Sequence, residues 1–207
     1  MKVFSNRNIH KQNICQKYSV FYFELIIFLI KIVFSNLVIK KYINYYSEIH
    51  LVIKGSGEQK LLNDYFNSIP SEVYVNGIKK ELCKKECNLE GQESNVTLRF
   101  ENQLTSCSSM FNGLKDITEI DLSDFDASQV KNMKGMLNDC SNLKKINFGN
   151  INTSSLQNLR AFCQACSKLT SIDLSMFDTS KVTDMGFMFS RCSNLKYIDM
   201  TNLDISN

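Results

Sequence analysis

The sequence predicts an α/β solenoid: a right-handed coil with a parallel sheet and short helical turns, closed by an N-terminal α+β cap and preceded by a hydrophobic N-terminal helix. Three observations predict it. Residues 104 to 207 repeat with a 26-residue period. Within each repeat one segment alternates apolar and polar residues, as a half-buried strand does, and another spaces its apolar residues at i, i+3 and i+4. The stretch from Phe21 to Ile39 is apolar over a membrane-spanning length.

In chain order, residues 1–47 read as a signal peptide or signal anchor. They carry seven Lys/Arg and one acid, Glu24, and the remaining chain holds 17 basic against 20 acidic residues. The body of the protein therefore has no basic footprint for nucleic acid. Basic residues ahead of an apolar run suit a targeting signal. A cleaved signal ending near Ser35, an uncleaved anchor interrupted by Glu24 and Lys31, and a buried amphipathic helix all remain open, because an ionised residue inside a bilayer costs roughly 2.5–3.5 kcal/mol.

Residues 48–100 do not repeat and read as the cap that covers the first apolar coil. His50 to Lys54 is strand-like, Gly55-Ser56-Gly57 turns, and EQKLLNDYF (58–66) is helix-compatible up to Pro70. Residues 72–75 and Ile78, separated by Asn76-Gly77, read as a hairpin with a type I′ turn.

Residues 101–207 hold a half repeat and four repeats starting at Met110, Met136, Phe162 and Met188, the last incomplete. Ile120, Ile146, Ile172 and Ile198 form one column; Leu122, Phe148, Leu174 and Met200 form another, two residues on. Phe111, Leu137, Cys163 and Phe189, with Leu114, Cys140, Cys166 and Cys192, predict a short helical turn on the opposite wall. Asp126, Asn152, Asp178 and Asp204, each two residues before a serine, suit Asx turns.

The run from Cys166 to Met200, CSKLTSIDLSMFDTSKVTDMGFMFSRCSNLKYIDM, which spans most of the third repeat and the start of the fourth, resembles the repeat of BspA-like leucine-rich repeat surface proteins of bacteria and protists. The resemblance covers about half of the chain. It implies a leucine-rich-repeat-like coil in a secreted or membrane-attached protein, displayed at the cell surface and associated with adhesion.

Among candidate sites, the exposed strand positions Glu119, Asp121, Lys145, Asn147, Ser171, Asp173, Tyr197 and Asp199 line up as a partner-binding face. Stacked carboxylates repel, which makes a purely structural column costly. Calcium finds no glycine-rich ligand loop there. Asn95 and Asn152 head glycosylation sequons, and Cys83 with Cys87 suit a local disulfide in an oxidising compartment. The Cys140, Cys166 and Cys192 column reads as buried thiol, since Leu114 fills the same position, and no metal or other cofactor is expected.

No constellation of nucleophile, base and oxyanion site is present, so no enzyme is expected. The expected function is a cell-surface or secreted binding or adhesion module that offers the repeat face to a protein or glycan. The alternatives are a structural or self-associating repeat fragment that stacks end to end, and an intracellular membrane-attached scaffold.

Overall fold

The computed structural model describes residues 46–203; residues 1–45, on which the expected signal peptide or signal anchor falls, and the last four residues lie outside the described residues. Residues from Tyr46 onward belong to one compact unit, in which cap and repeats share a sheet. The ten strands among the described residues are β1 (Ser47–Lys54), β2 (Gly57–Lys60), β3 (Glu72–Val75), β4 (Ile78–Lys79), β5 (Glu86–Leu89), β6 (Glu93–Phe100), β7 (Ile117–Asp121), β8 (Lys145–Asn147), β9 (Ser171–Asp173) and β10 (Tyr197–Asp199). The principal sheet runs β4-β3-β6-β1-β7-β8, while β10-β9 and β2-β5 form two small sheets.

Strict alternation builds the longest strands. In β1, Ile49, Leu51 and Ile53 are buried, and in β6, Val96, Leu98 and Phe100 are buried, while the intervening side chains face outward. β1 pairs antiparallel with β6 over eight residues and antiparallel with β7 on its other edge. It thereby joins the N-terminal strands to the first repeat. β7 and β8 then pair in parallel, with Ile120 opposite Ile146, and β9 and β10 pair likewise, with Ile172 opposite Ile198. One continuous core runs under all of these strands, from Ile49 to Met188.

The expected α/β solenoid does not form. No helix occurs among the described residues, and the principal sheet is mixed, with four of its five strand pairings antiparallel. The cap contains strands and turns but no α element; the helix-compatible segment 58–66 divides into β2 and a turn that buries Leu61 and Leu62 side by side. β2 is held by antiparallel pairing to β5, with Gln59 opposite Cys87, and local helix propensity is overridden by that ladder.

The expected helical wall of the repeats is also absent, for a reason visible in the backbone. Ser109, Gly135, Ala161 and Phe187 all have φ between 54 and 61°, and Gly113, Asp139, Ala165 and Arg191 have φ between 55 and 77°. A left-handed residue every fourth position breaks helical continuity. Amides then alternate between partners: Met110 and Leu114 donate to carbonyls three residues back, while Phe111 and Gly113 donate to Met136 and Asn138 of the next repeat. This wall is a stack of tight turns, tied repeat to repeat.

Three columns of side chains fix the corners. Asp121, Asn147, Asp173 and Asp199 accept the amide two residues on at 2.8–3.1 Å. Asp126, Asn152 and Asp178 do the same at 3.0–3.1 Å, and so do Asn132, Asn158 and Asp184 at 2.9–3.0 Å. Each such bond satisfies a backbone donor that a turn would otherwise leave open.

The strand wall has one seam. β8 and β9 are not paired, although the turn wall bridges without interruption from Ser106 through Asn132 and Asn158 to Asp184. The seam coincides with Phe148, the only ring in the column of Leu122, Leu174 and Met200. Its ring meets Phe177 edge-on at 4.9 Å and Phe162 at 6.2 Å.

Candidate functional site

The outward face of the principal sheet carries its polar residues in transverse rows set by register. Asn95, Val52, Glu119 and Lys145 are successive partners across β6, β1, β7 and β8. Thr97, His50, Asp121 and Asn147 form the neighbouring row across the same strands. Together these eight residues line a groove of about 230 Å³.

The second row is internally bonded. His50 Nδ1 and Thr97 Oγ1 are 3.0 Å apart, and His50 Nε2 lies 3.5 Å from Asp124 Oδ2. Asn147 Nδ2 donates to Asp121 Oδ2 at 3.0 Å, while Asp121 Oδ1 accepts the Ser123 amide and Asn147 Oδ1 accepts the Gly149 amide. Partial burial pushes the Asp121 carboxyl upward, but its bonds from Ser123 and Asn147 outweigh that, and it lies below the ordinary carboxylate range. This row is a rigid wall.

The first row is not internally bonded. Glu119 and Lys145 are exposed register neighbours, yet no ion pair joins them among the described residues. Val52, shorter than its flanking side chains, forms the floor between them and Asn95. The cap side of the face continues into a network in which Arg99 donates to Glu48 at 2.6 Å, to Glu72 at 3.2 Å and to the Tyr74 hydroxyl at 2.9 Å. Lys79, Tyr74 and Arg99 hold the Glu72 carboxyl down at about 2, in that order of effect.

The sequence-expected partner residues divide between two places. Glu119, Asp121, Lys145 and Asn147 meet in the groove. Ser171 and Asp173 on β9, and Tyr197 and Asp199 on β10, stand in a separate two-stranded sheet beyond the seam. Asp199 is tied to Thr201 and to the Tyr197 hydroxyl, which lowers the carboxyl and raises the phenol. The Asp column is a set of turn anchors first, so the repulsion within it does not call for a dedicated ligand. His50, Val52, Asn95 and Thr97 come from the N-terminal strands and were not expected as partner-site residues; the only signal for them is the polar half of the alternation in SEIHLVIK and ESNVTLRF.

Asn95 is exposed and lines the groove, so a glycan carried there would occupy it. Asn152 is exposed at an Asx turn outside the groove. Cys83 and Cys87 form a disulfide with Cα atoms 4.8 Å apart. A wider open depression of about 740 Å³ lies beside it, rimmed by Lys79, Lys80, Glu81 and the almost fully exposed Leu82.

The remaining described cysteines are thiols. Cys140, Cys166 and Cys192 donate to the carbonyls of Phe111, Leu137 and Cys163 at 3.1, 3.1 and 2.9 Å, each 29 residues back. Burial pushes Cys107 up to about 12 and Cys192 to about 11, and raises Cys140 and Cys163 as well. Such thiols are protonated at neutral pH and serve as core hydrogen-bond donors. No cluster of three or more His, Cys, Asp or Glu placed to hold a metal occurs among the described residues, and no described helix is long and apolar enough to cross a membrane.

Residues 105–207, just under half of the chain, match the family described as Mycoplasma protein of unknown function, DUF285. That match corrects the expected resemblance: no BspA-like or leucine-rich repeat family matches the repeats. Neither the curated proteins nor the solved structures provide a match.

Proposed function

We propose that the chain is a non-catalytic binding module, cell-surface or secreted, that presents the outward face of its principal sheet to a protein or glycan partner. The observation that carries this reading is the groove, where four strands from two parts of the sequence bring exposed polar side chains together over a packed core. A sheet whose inner face is buried and whose outer face carries an ordered polar pattern offers a rigid platform, and rigid platforms lose little entropy on binding. His50 and Thr97 are bonded to each other in the wall behind the exposed row, and Cys140 and Cys166 are buried donors to backbone carbonyls, so the groups left open on the face are those of Asn95, Glu119 and Lys145. The Cys83–Cys87 disulfide suits an oxidising exterior.

The test is direct. The purified chain is applied to arrays of glycans and of extracellular proteins, beside Glu119→Lys and Lys145→Glu. Both side chains are exposed, so the variants should fold with an unchanged melting temperature and lose at least tenfold in affinity for whatever the wild type retains. Retention that neither variant alters removes the face from the function. Protease treatment of intact cells checks the compartment: the module is degraded if displayed and spared if internal.

A further inference from the structure

Resting on the reading of the outer sheet face as a binding surface, we infer that the groove seats one sugar ring of a neutral glycan on the Asn95–Val52–Glu119–Lys145 row. Each polar group on the row has a fixed hydrogen-bonding capacity. Glu119 is acceptor-only when ionised, Lys145 is donor-only, and the Asn95 amide does both. Glu119 and Lys145 are register neighbours on adjacent parallel strands, roughly 4.7–4.9 Å apart at the backbone, and are not ion-paired to each other. A group that donates to one and accepts from the other satisfies both. A hydroxyl does this with one atom, because two hydrogen bonds of roughly 2.7–3.0 Å meeting at its near-tetrahedral oxygen span about that separation.

Charge decides between ligand classes. The row holds one anion, one cation and one amide, and Asp121 in the wall adds a second carboxylate, so the groove has no positive field to attract a polyanion, whether a sulfated chain or a nucleic acid. A ligand rich in paired donor and acceptor groups but without charge fits this set best. The floor matters as well: Val52 is the one apolar side chain on the row, two strands from Lys145 and one from Asn95, and it offers a small surface to the C–H face of a ring. At about 230 Å³ the groove lies below the roughly 300–1,000 Å³ that drug-sized ligands need, which suits a single ring with its chain continuing outside.

The wall behind the row is already committed. Thr97 is bonded to His50 and Asp121 to Asn147, and the Asx turns at Ser123 and Gly149 hold the last two in place. The ligand therefore finds fixed groups on one side and open donors and acceptors on the other.

The experiment uses the full chain made without glycosylation, titrated with neutral hexose oligosaccharides and with their sulfated counterparts. Amide and methyl NMR signals of Val52, Asn95, Glu119 and Lys145 report the place of binding. Neutral saccharides should shift those signals, with affinity changing less than twofold between 50 and 300 mM salt. Glu119→Gln, Lys145→Met and Asn95→Ala should each lower the affinity at least fivefold while leaving the spectrum of the β9–β10 pair unchanged. Binding of the sulfated series alone, a steep salt dependence, or shifts confined to other surfaces overturns the inference. If a protein partner is lost in Lys145→Glu but no saccharide binds or competes, the ligand class is wrong and the binding face stands. If no partner of any kind responds to the row variants, both fall.

Discussion

Two glycines with almost the same backbone conformation offer a controlled measurement of how tightly the repeats approach each other. Gly135 and Gly149 have φ of 59 and 54°, yet their surroundings differ. A β-carbon at Gly135 would meet nothing nearer than Asn138 Cβ at 3.7 Å, whereas at Gly149 it would fall 2.6 Å from Ser123 Cβ and 2.8 Å from Ser123 Cα. Alanine in the left-handed region costs roughly 1–2 kcal/mol. Stiffening the unfolded chain returns about 0.4–1 kcal/mol. Gly135→Ala should therefore destabilise by at most about 1.5 kcal/mol, in keeping with Ser109 and Ala161, which carry side chains at the equivalent positions. Gly149→Ala has the same conformational cost plus the separation of two packed backbones, for which overpacking data suggest about 1–3 kcal/mol more.

Urea titration followed by far-ultraviolet circular dichroism reads the difference. With a slope of roughly 2 kcal/mol per molar urea, the two variants should differ by about 1 M in midpoint. Ser123→Gly in the Gly149→Ala background should recover part of the loss, since it deletes the nearer of the two clashing carbons while the backbone carbon of residue 123 still crowds the new methyl. Equal losses for Gly135→Ala and Gly149→Ala would refute the reasoning, because they would mean that the first and second repeats are free to move apart at this corner.

Three further outcomes are expected. Phe162→Ala, which empties a fully buried site beside the paired rings of Phe148 and Phe177, should cost about 3–5 kcal/mol in the same titration. Acid should weaken the cap through Glu72: its carboxyl is held at about 2, below the usual value, so its contribution is complete above about pH 4.5 and is lost as pH falls toward 2. Glu72→Gln should therefore flatten the dependence of the urea midpoint between pH 5 and 3; an unchanged slope counts against the network. Reduction of the Cys83–Cys87 disulfide, which closes a loop of sequence separation 4, should remove about 2 kcal/mol, measured as the difference in midpoint with and without reductant.

The parts of the fold that are legible in the sequence are those written in short, repeated signals. Ile120 faces Ile146 and Ile172 faces Ile198 because a 26-residue period places like residues at like positions, and Asn76-Gly77 adopts the positive φ pair, 49 and 77°, that a tight hairpin requires. The spacing of Phe111 and Leu114 is shared by a helix and by a stack of turns. Only the left-handed residues four apart decide between them, and Phe187 and Arg191 give no hint in their residue type that they adopt that conformation. The segment EQKLLNDYF misleads for a different reason: Leu61 and Leu62 are both buried, which a helix of that length would not arrange, but the β5 partner that makes it possible lies some 25 residues downstream. The groove is half legible. Glu119, Asp121, Lys145 and Asn147 stand out as a repeat column, whereas Val52 and Asn95 join them through antiparallel register between segments without internal repetition.

The seam between β8 and β9 divides the molecule into unequal partners. The first two repeats are fused through β1 to the N-terminal strands, while the third and fourth are attached without strand pairing, through the turn wall, the shared core with its Phe148–Phe162–Phe177 rings, and side-chain bonds such as those of Thr153 with Asp178. Backbone amides along β9 and β10 should therefore exchange with solvent sooner than those of β7, and pulling on the C-terminal end should peel two repeats away while the groove stays whole. A tether attached at that end would yield under load before the sheet beneath the groove did.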